Sequence, residues 1–196
     1  MIERQAKIVR ESNETKIDLN INLDGAGKYE GDTGIGFFDH MLCLFAKQGL
    51  LDLGVNVQGD LNVDSHHTIE DVGIVLGSAI KEAMKGKEGI KRYGTSFIPL
   101  DETLATVSLD LSGRAFLVFE GNFTVDRLGS FDTEMVEEFF RAVASNAGIT
   151  IHARVIYGKN NHHMVEALFK AFGKALSEAL TYDARIKGVL STKGFL

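Results

Sequence analysis

Cysteine is almost absent from this chain, since Cys43 is the single one among 196 residues. An internal disulfide is therefore excluded, because a disulfide joins two cysteines. A chain with so few thiols fits a reducing compartment, where disulfides rarely persist. We therefore expect the protein in the cytoplasm.

Long apolar runs are also missing. The longest apolar segments are interrupted by Gly, Lys or Glu and fall short of the roughly 20 apolar residues that a membrane helix requires. The first residues, Met1 to Gln5, lack the charged-then-apolar arrangement of a secretory signal. The sequence therefore predicts no membrane span and no membrane partner.

Dense runs of lysine and arginine are missing as well, and the formal net charge is −6. A surface that binds nucleic acid needs a basic patch able to neutralise many phosphates. We therefore expect no nucleic-acid partner. Local basic spots would suit a small anion rather than a polymer.

The sequence does contain an internal repeat. Residues 66–84 superpose without a gap on residues 162–180, and the match keeps two adjacent histidines, a glutamate and several small residues in register. The composition, 44% apolar and 24% charged, is that of an ordinary globular domain. Because the offset is close to half of the 196 residues, we predict one domain, 1–196, made of two similar halves, about 1–92 and 93–196.

Both copies of the repeat have apolar residues at helical spacing and are predicted to be amphipathic helices. Shorter helices are predicted over 37–47 and 134–144. Residues 15–23 alternate strictly between polar and apolar side chains, which is typical of a half-buried strand. Further strands are predicted over 53–57, 104–111, 115–120 and 149–156. Each half then has strands, a helix, a strand and a helix, which predicts an α+β fold, an internally duplicated half-domain with β-sheets and helices packed on one face.

The repeated motif is His-His-x-x-Glu, at residues 66–70 and 162–166. Residues three and four apart share one helix face, so either histidine can lie beside the glutamate. Adjacent histidines point about 100 degrees apart and do not easily bind one ion together. Each pair therefore favours two metal centres that are completed from elsewhere, and mixed imidazole and carboxylate ligands suit Mn, Fe, Zn or Co. The motif ligands are His66, His67, Glu70, His162, His163 and Glu166.

A single copy of this motif has a simpler explanation. A histidine pair is often a surface feature, and a glutamate near a helix start often belongs to a cap. Two copies weaken that explanation, because four of the six histidines fall in the repeat. Duplicated cores usually keep apolar residues in register rather than polar ones, so we predict a metal site.

Three residues outside the motif complete the candidates. His40 is a further candidate ligand in the first half. Glu138 lies at a similar distance before the second histidine pair, although this alignment needs gaps. His152 has no partner in the first half and is predicted to be structural or to lie behind the ligands.

Several further motifs resemble those of imidazoleglycerol-phosphate dehydratases, in the order of that family and over essentially the whole chain. They are Glu14-Thr15, Phe38-Asp39-His40-Met41-Leu42, Asp64 to Asp71, Pro99-Leu100-Asp101-Glu102, Leu109 to Arg114, Glu138-Phe139-Phe140, Gly158-Lys159-Asn160 and Ser191-Thr192-Lys193-Gly194. The resemblance implies a hydro-lyase that converts D-erythro-imidazoleglycerol phosphate to imidazoleacetol phosphate in L-histidine biosynthesis. It also implies two Mn²⁺ ions per active site and a homo-oligomer of about 24 subunits with active sites at subunit interfaces.

The resemblance assigns roles to individual residues. The implied metal ligands are His40, His66, His67, Glu70, Glu138, His162, His163 and Glu166. Some family members carry histidine where this chain has Glu138, and glutamate also binds metals. The implied substrate-binding residues are Glu14, Arg92, Arg114, Lys170, Ser191, Thr192 and Lys193. Of these, Lys170 alone has a spacing argument, because it lies two turns beyond His163 on one helix.

The implied reaction explains a need for metals, because a proton must leave an unactivated carbon. If both nitrogens of the substrate ring bind metal, the ring becomes an imidazolate, a hydroxyl leaves to give a diazafulvene-like intermediate, and the neighbouring C–H becomes more acidic. A carboxylate then serves as the base, and the candidates are Glu14 and Glu166.

Two other functions would use the same residues. A dinuclear metallohydrolase would cleave a phosphate ester with a bridging hydroxide, and a non-catalytic storage or assembly protein would use the ions only to join subunits. An assay with imidazoleglycerol phosphate and a generic phosphomonoester separates these alternatives.

Overall fold

The computed structural model describes residues 4–195. The strands of this part are β1 (Gln5–Glu11), β2 (Thr15–Asn22), β3 (Tyr29–Asp32), β4 (Asp52–Gly59), β5 (Tyr93–Leu100), β6 (Thr103–Asp110), β7 (Phe116–Glu120), β8 (Arg127–Leu128), β9 (Phe131–Asp132) and β10 (Thr150–Tyr157). The helices are α1 (Gly36–Gly49), α2 (His66–Met84), α3 (Met135–Ala147) and α4 (Asn161–Ala179).

The two large sheets have the same topology. The first has the strand order β1-β2-β4-β3 and the second β5-β6-β10-β7. In each sheet the first three strands pair antiparallel and the fourth pairs parallel to the third. This identity of order and direction confirms the predicted duplication, and it extends the repeat from the two long helices to the strands.

The helices lie on one face of each sheet. In β2 and β6 buried residues alternate with more exposed ones, as expected of strands with one covered face. The helix α2 packs on β1 and β2, and α4 packs on β5 and β6. The predicted α+β class is therefore confirmed. None of the helices within residues 4–195 combines the length and the apolar character needed to cross a membrane.

The two halves share one core because their helices pack crosswise. The helix α2 contacts α3 of the other half, and α4 contacts α1. Glycines allow both approaches: a Cβ on Gly77 would lie 2.7 Å from the carbonyl oxygen of Val143, and a Cβ on Gly173 would lie 2.4 Å from that of Phe45. Gly77 and Gly173 are the same position of the repeat, so the close contact is itself duplicated.

We expect the substitution Gly173→Ala to destabilise the protein by about 1–3 kcal/mol, because the new methyl group would meet the α1 backbone rather than a movable side chain. This range is the net effect, after the opposing gain of roughly 1 kcal/mol in helix propensity. Denaturant unfolding followed by circular dichroism measures the change. Gly36→Ala is the matched control, since a Cβ at this helical glycine has nothing within 4 Å; equal midpoints for the two variants would contradict the packing argument.

The predicted strands and helices correspond to β2, β4, β6, β7, β10 and all four helices. The sequence did not predict β1, β3, β5 or the short pair β8–β9. Two strands that follow each other along the chain, β6 and β7, are not neighbours in the sheet, because β10 lies between them. The strand that precedes the second histidine pair is therefore central in its sheet.

Candidate functional site

The repeated histidine pairs occupy the first turns of α2 and α4. The side chain of Asn160 accepts hydrogen bonds from the backbone N–H groups of His162 and His163, at 2.9 and 3.4 Å. At the equivalent position Asp64 accepts from the backbone N–H of His66, at 2.8 Å. Asn and Asp are the residues that satisfy free N–H groups at helix starts. In both copies, a residue two positions before the pair therefore sets where the histidines begin the helix.

Adjacent histidine rings point in different directions. The ring centroids of His66 and His67 are 6.2 Å apart with an angle of 73° between the ring planes, and those of His162 and His163 are 6.2 Å apart at 86°. Neighbouring rings also have different carboxylate partners, since His162 lies beside Glu166 and His163 beside Glu102, which supports the interpretation that they serve different ions.

One group of potential ligands comes together across the two halves. His40 on α1 and His162 and Glu166 on α4 offer ligand atoms that all lie within 4.8 Å of one another. The Oε2 atom of Glu166 is 3.2 Å from Nε2 of His162 and 3.7 Å from Nε2 of His40. Since α1 packs against α4, the crosswise helix packing brings His40 to the motif of the other half.

Lys170 fixes the carboxylate of that group. Its Nζ lies 2.6 Å from Oε1 of Glu166, so the other oxygen remains directed at the two histidines. Burial raises the pKa of Glu166, but the hydrogen bond and charge of Lys170, with the charges of His40 and His162, outweigh burial and the pKa is lowered. The carboxylate is therefore ionised in the form that binds metals.

Glu138 is the structural equivalent of His40. Val143 meets Gly77 as Phe45 meets Gly173, and Glu138 precedes Val143 by the same five residues that separate His40 from Phe45. The equivalence thus rests on helix packing and needs no sequence alignment. It associates Glu138 with the motif on α2.

The group on α2 is less closely assembled. Nε2 of His66 lies 3.6 Å from Oε2 of Glu70, and Glu138 forms an ion pair with Arg141, whose Nε is 3.6 Å from Oε1. Within residues 4–195, the one set of three ligand atoms close enough to hold an ion is that of His40, His162 and Glu166.

His67 lies between two carboxylates. Its Nδ1 is 2.9 Å from Oδ2 of Asp60, and its Nε2 is 3.7 Å from Oε1 of Glu14. The hydrogen bond with Asp60 raises the pKa of His67, and the charge of Glu14 adds to this effect. The structure thus brings Glu14 beside the first motif.

Among the described residues, His163 forms an ion pair with one carboxylate, that of Glu102. Its Nδ1 is 2.8 Å from Oε2 of Glu102, and this hydrogen bond raises the pKa of His163. The same bond, with the backbone N–H of Asn160, holds the pKa of the Glu102 carboxyl well below its usual range. No role was predicted for Glu102 or Asp60 from the sequence. The sequence does contain a pattern that points to Glu102. A Glu-Thr pair stands at the start of β2 and again at the start of β6, which makes Glu102 the counterpart of Glu14.

The predicted anion-binding residues gather in a separate cleft of about 930 Å³. Five of them line it: Arg92, Arg114, Ser191, Thr192 and Lys193. Lys170 and Glu14 are not among its lining residues. The C-terminal tail therefore forms one wall of the cleft within the described residues, while Leu196 lies outside them.

Three further lysines line the cleft, Lys81, Lys85 and Lys87, and were not predicted from the sequence. Burial lowers the pKa of Lys87, and the positive charges of Arg92 and Lys81 lower it further, although Asp110 opposes them. The same positive charges that lower the pKa of Lys87 would stabilise a bound anion. The cleft therefore offers positive charges and hydroxyl groups that suit a small anion.

Arg92 mainly stabilises the lining of this cleft through hydrogen bonds within the protein. Its guanidinium pairs with Asp110, with Nε 2.7 Å from Oδ1 and Nη2 3.0 Å from Oδ2, and Nη1 donates to the carbonyl of Leu190 at 2.7 Å. These bonds tie the tail to the sheet. Lys193 is exposed and has no ion-pair partner within residues 4–195, so it is better placed to meet an anion.

The cleft and the histidine groups lie at opposite ends of the long helices. Met84, which lines the cleft, ends α2 18 residues after His66, a distance of about 27 Å at the helical rise. Arg92 donates from its backbone to Ala179 at the end of α4, 17 residues and about 26 Å beyond His162. One chain therefore keeps its anion cleft far from both of its histidine pairs.

The donor set fits a divalent transition metal. The group of His40, His162 and Glu166 combines two imidazole nitrogens with an ionised carboxylate oxygen in a partly exposed place, which leaves room for more ligands. Carboxylate and imidazole ligands together are compatible with Mn²⁺. His152, by contrast, is exposed on β10, where it pairs with Ser108 and Val118, and it belongs to no ligand group in the described chain.

Comparison with known proteins connects this arrangement to one family. The family model described as imidazoleglycerol-phosphate dehydratase matches residues 33–176. An imidazoleglycerol-phosphate dehydratase of Clostridium acetobutylicum is 68% identical over 192 residues, which cover 98% of both chains. One of Acetivibrio thermocellus is 58% identical over 195 residues, which cover 100% of both.

Solved structures give the same result. The crystal structure of imidazoleglycerol-phosphate dehydratase from Staphylococcus aureus is similar with a TM-score of 0.83 and 44% identity, covering 91% of this chain and 99% of that one. The enzyme from Pyrococcus furiosus, solved in complex with (S)-C348, gives a TM-score of 0.82 and 35% identity, covering 96% and 100%. The matches extend over both halves of the duplicated fold.

Proposed function

The chain belongs to the imidazoleglycerol-phosphate dehydratase family, and from that premise we propose that it removes water from D-erythro-imidazoleglycerol phosphate to give imidazoleacetol phosphate in L-histidine biosynthesis, with two Mn²⁺ ions held by its duplicated histidine–carboxylate groups. The observation that carries this proposal is the convergence of His40, His162 and Glu166 from two helices of different halves. A purely structural repeat would have no reason to gather three metal-binding side chains.

The proposed site has two ligand groups, and each group combines residues of both halves. The first is His40, His162 and Glu166, and the second is Glu138, His66 and Glu70, by the equivalence of α1 and α3. When bound, the two divalent ions would supply Lewis acidity to the nitrogens of the substrate ring. The second group contains two carboxylates and one imidazole, and this richness in oxygen suits Mn²⁺.

The proposed site requires more than one copy of the chain. The substrate is much shorter than the roughly 26–27 Å between the histidine pairs and the anion cleft of one chain. A neighbouring copy would bring its cleft to the histidines. His67 and His163 bond to Asp60 and Glu102 through Nδ1, so their Nε2 atoms would complete the ion sites of such a neighbour. We therefore propose a homo-oligomer with active sites at the interfaces, and the family resemblance implies about 24 subunits.

Glu14 is the proposed base of the reaction. It would accept the proton from the carbon next to the one that loses its hydroxyl. Its side chain is 54% exposed and accepts no hydrogen bond among the described residues, so the carboxylate is free to act. Glu166, the other candidate, is held by Lys170 and has a lowered pKa, which suits a metal ligand better than a base.

Lys193 and the cleft are proposed to bind the phosphate. We expect Lys193→Ala to raise KM about 10–100-fold with a smaller change in kcat, because a charge-assisted hydrogen bond contributes about 1.5–3 kcal/mol and acts far from the reacting carbon. Steady-state kinetics measure both constants. Lys7→Ala is the control, because Lys7 is exposed and pairs with Asp18 on the first sheet. A variant of Lys193 with unchanged KM would exclude this residue from phosphate binding.

The reaction itself is tested by incubating the purified protein with imidazoleglycerol phosphate and, separately, with a generic phosphomonoester. The proposal predicts ketone formation from the first and no release of inorganic phosphate from either. Phosphate release without ketone would support a metallohydrolase instead. Metal binding without either reaction would support a storage protein.

We also propose the cytoplasm as the compartment of this reaction. Cys43 is exposed and unpaired by any disulfide in the described structure, which fits a reducing environment.

A further inference from the structure

The second histidine of each motif makes a hydrogen bond through the same ring atom. Nδ1 of His67 meets Oδ2 of Asp60 at 2.9 Å, and Nδ1 of His163 meets Oε2 of Glu102 at 2.8 Å. An ionised carboxylate can only accept, so Nδ1 must carry the hydrogen in both rings. The lone pair of each neutral ring then lies on Nε2.

The two carboxylates come from different places in the repeat. Glu102 precedes β6 and is the counterpart of Glu14, which precedes β2. Asp60 directly follows β4 in the first half, whereas the residue that directly follows β10 in the second half is Gly158, which has no carboxylate. The same bond to Nδ1 has therefore been built twice from non-equivalent residues, which indicates that the bond itself is needed.

Glu102 is held firmly for this task. Its Oε1 accepts hydrogen bonds from the backbone N–H groups of Lys159 and Asn160, at 3.1 and 2.8 Å, and from the hydroxyl of Thr103 at 2.9 Å. Only Oε2 is left for His163. Asp60 is bound less completely, because its buried Oδ1 has no hydrogen-bond partner among the described residues.

Glu14 is free of this orienting role because Asp60 bonds to Nδ1 of His67 in its place. In the second half, the glutamate that precedes β6 is used to orient a histidine. In the first half, Asp60 takes that place on Nδ1 of His67, and Glu14 lies at the other side of the ring, 3.7 Å from Nε2. The duplication has thus left one of two equivalent carboxylates available for chemistry.

We infer that Asp60 and Glu102 are positioning residues that fix the Nδ1–H form of His67 and His163, so that each ring presents Nε2 to a divalent metal ion. This inference rests on the proposed function, because it assigns those histidines as ligands. Carboxylates behind metal-binding histidines fix the tautomer and the ring orientation, and their loss commonly weakens metal binding 10–100-fold.

The test is a titration of the metal-free, full-length protein with Mn²⁺, in which the free ion is followed by its electron paramagnetic resonance signal. We expect Asp60→Ala and Glu102→Ala each to raise the dissociation constant of one class of sites about 10–100-fold. Glu120→Ala is the matched control, because Glu120 is an exposed strand carboxylate paired with Arg154, and it should bind Mn²⁺ like the unaltered protein.

Conservative variants sharpen the test because the two sites predict opposite results. In Asp60→Asn the amide can turn its oxygen to Nδ1 of His67 and its NH₂ to the unpartnered side, so binding should be largely restored. In Glu102→Gln the oxygen is required by the two backbone N–H groups, and the NH₂ then faces Nδ1 of His163. That variant should remain weakened, and it also carries the test if Glu102→Ala does not fold.

A double-mutant cycle shows whether Glu102 acts through His163. Adding Glu102→Ala to His163→Ala should weaken Mn²⁺ binding little further, whereas independent structural damage would add to the first loss. Normal binding by Asp60→Ala and Glu102→Ala, or additive losses in the cycle, would overturn the inference and leave the proposed function intact. If the unaltered protein binds no Mn²⁺, the metal role in the proposed function fails, and this inference fails with it.

Discussion

Replacing Glu14 by glutamine is expected to lower kcat about 10²–10⁴-fold, which is the usual contribution of a general base. Glutamine preserves the size and polarity of the side chain but cannot accept the proton. The carboxylate lies 3.7 Å from Nε2 of His67, so it is beside a proposed ion site and is not itself a member of the ligand group on α1 and α4. Metal content and assembly should therefore remain normal.

Steady-state turnover with imidazoleglycerol phosphate measures this effect, with metal analysis on the same preparation. Glu11→Gln is a suitable control, because Glu11 is an exposed residue of β1 whose nearest cation is Lys16, at 3.7 Å. A loss of less than about threefold in Glu14→Gln would remove this residue from the chemistry. Glu166 would then be the remaining candidate.

The substitution His162→Ala is expected to weaken binding of one ion more than about 100-fold, since a direct ligand contributes more than the residues that orient it. Its Nε2 lies 3.2 Å from Oε2 of Glu166, and its ring is 6.0 Å from that of His40. Removing it leaves two of the three donors. We also expect the assembly to dissociate, because ions shared between subunits would hold it together.

Metal analysis by mass spectrometry and sedimentation velocity check these two consequences separately. His152→Ala is the control for histidine removal, because His152 lies on the exposed face of β10. A His162→Ala protein with full metal content and unchanged size would contradict the proposed shared site. Loss of metal with unchanged size would contradict only the proposal that shared ions hold the subunits together.

Most of the fold follows from local sequence patterns. The polar–apolar alternation of 15–23 and the helical spacing in the two repeat copies correctly located β2, α2 and α4. β1 and β5 were not predicted, because half of their residues or more are exposed and only one residue of each strand is buried. The crosswise packing of α1 with α4 and of α2 with α3 depends on tertiary contacts and has no local sequence pattern. Gly77 and Gly173 lie where these helices meet.

The sequence predicted part of the site for a physical reason. Residues three and four apart on a helix are neighbours, so the spacing within the motif predicted that its histidines and glutamate lie close together. The second histidine of each motif also bonds to a carboxylate outside its helix. Asp60 is 7 residues from His67 along the chain, and Glu102 is 61 residues from His163. No spacing rule joins such positions; the Glu-Thr pair at β2 and β6 becomes informative only once the two sheets are superposed.

Glu138 illustrates the same limit. Its equivalence to His40 is uncertain from spacing, because the segments before α2 and α4 differ in length. It becomes clear when both helices are placed on their glycine contacts. Completion of the site by a neighbouring chain also has no local signature. The family resemblance implied it, and the distance between the anion cleft and the histidine pairs supports it.

The central claim is that two groups of histidine and carboxylate ligands hold ions on which the reaction depends. It is tested most directly by measuring the metal content of the fully active protein and its turnover before and after chelation. The account predicts about two ions per chain, loss of turnover when they are removed, and recovery when Mn²⁺ is returned. Full turnover by a metal-free protein would contradict it.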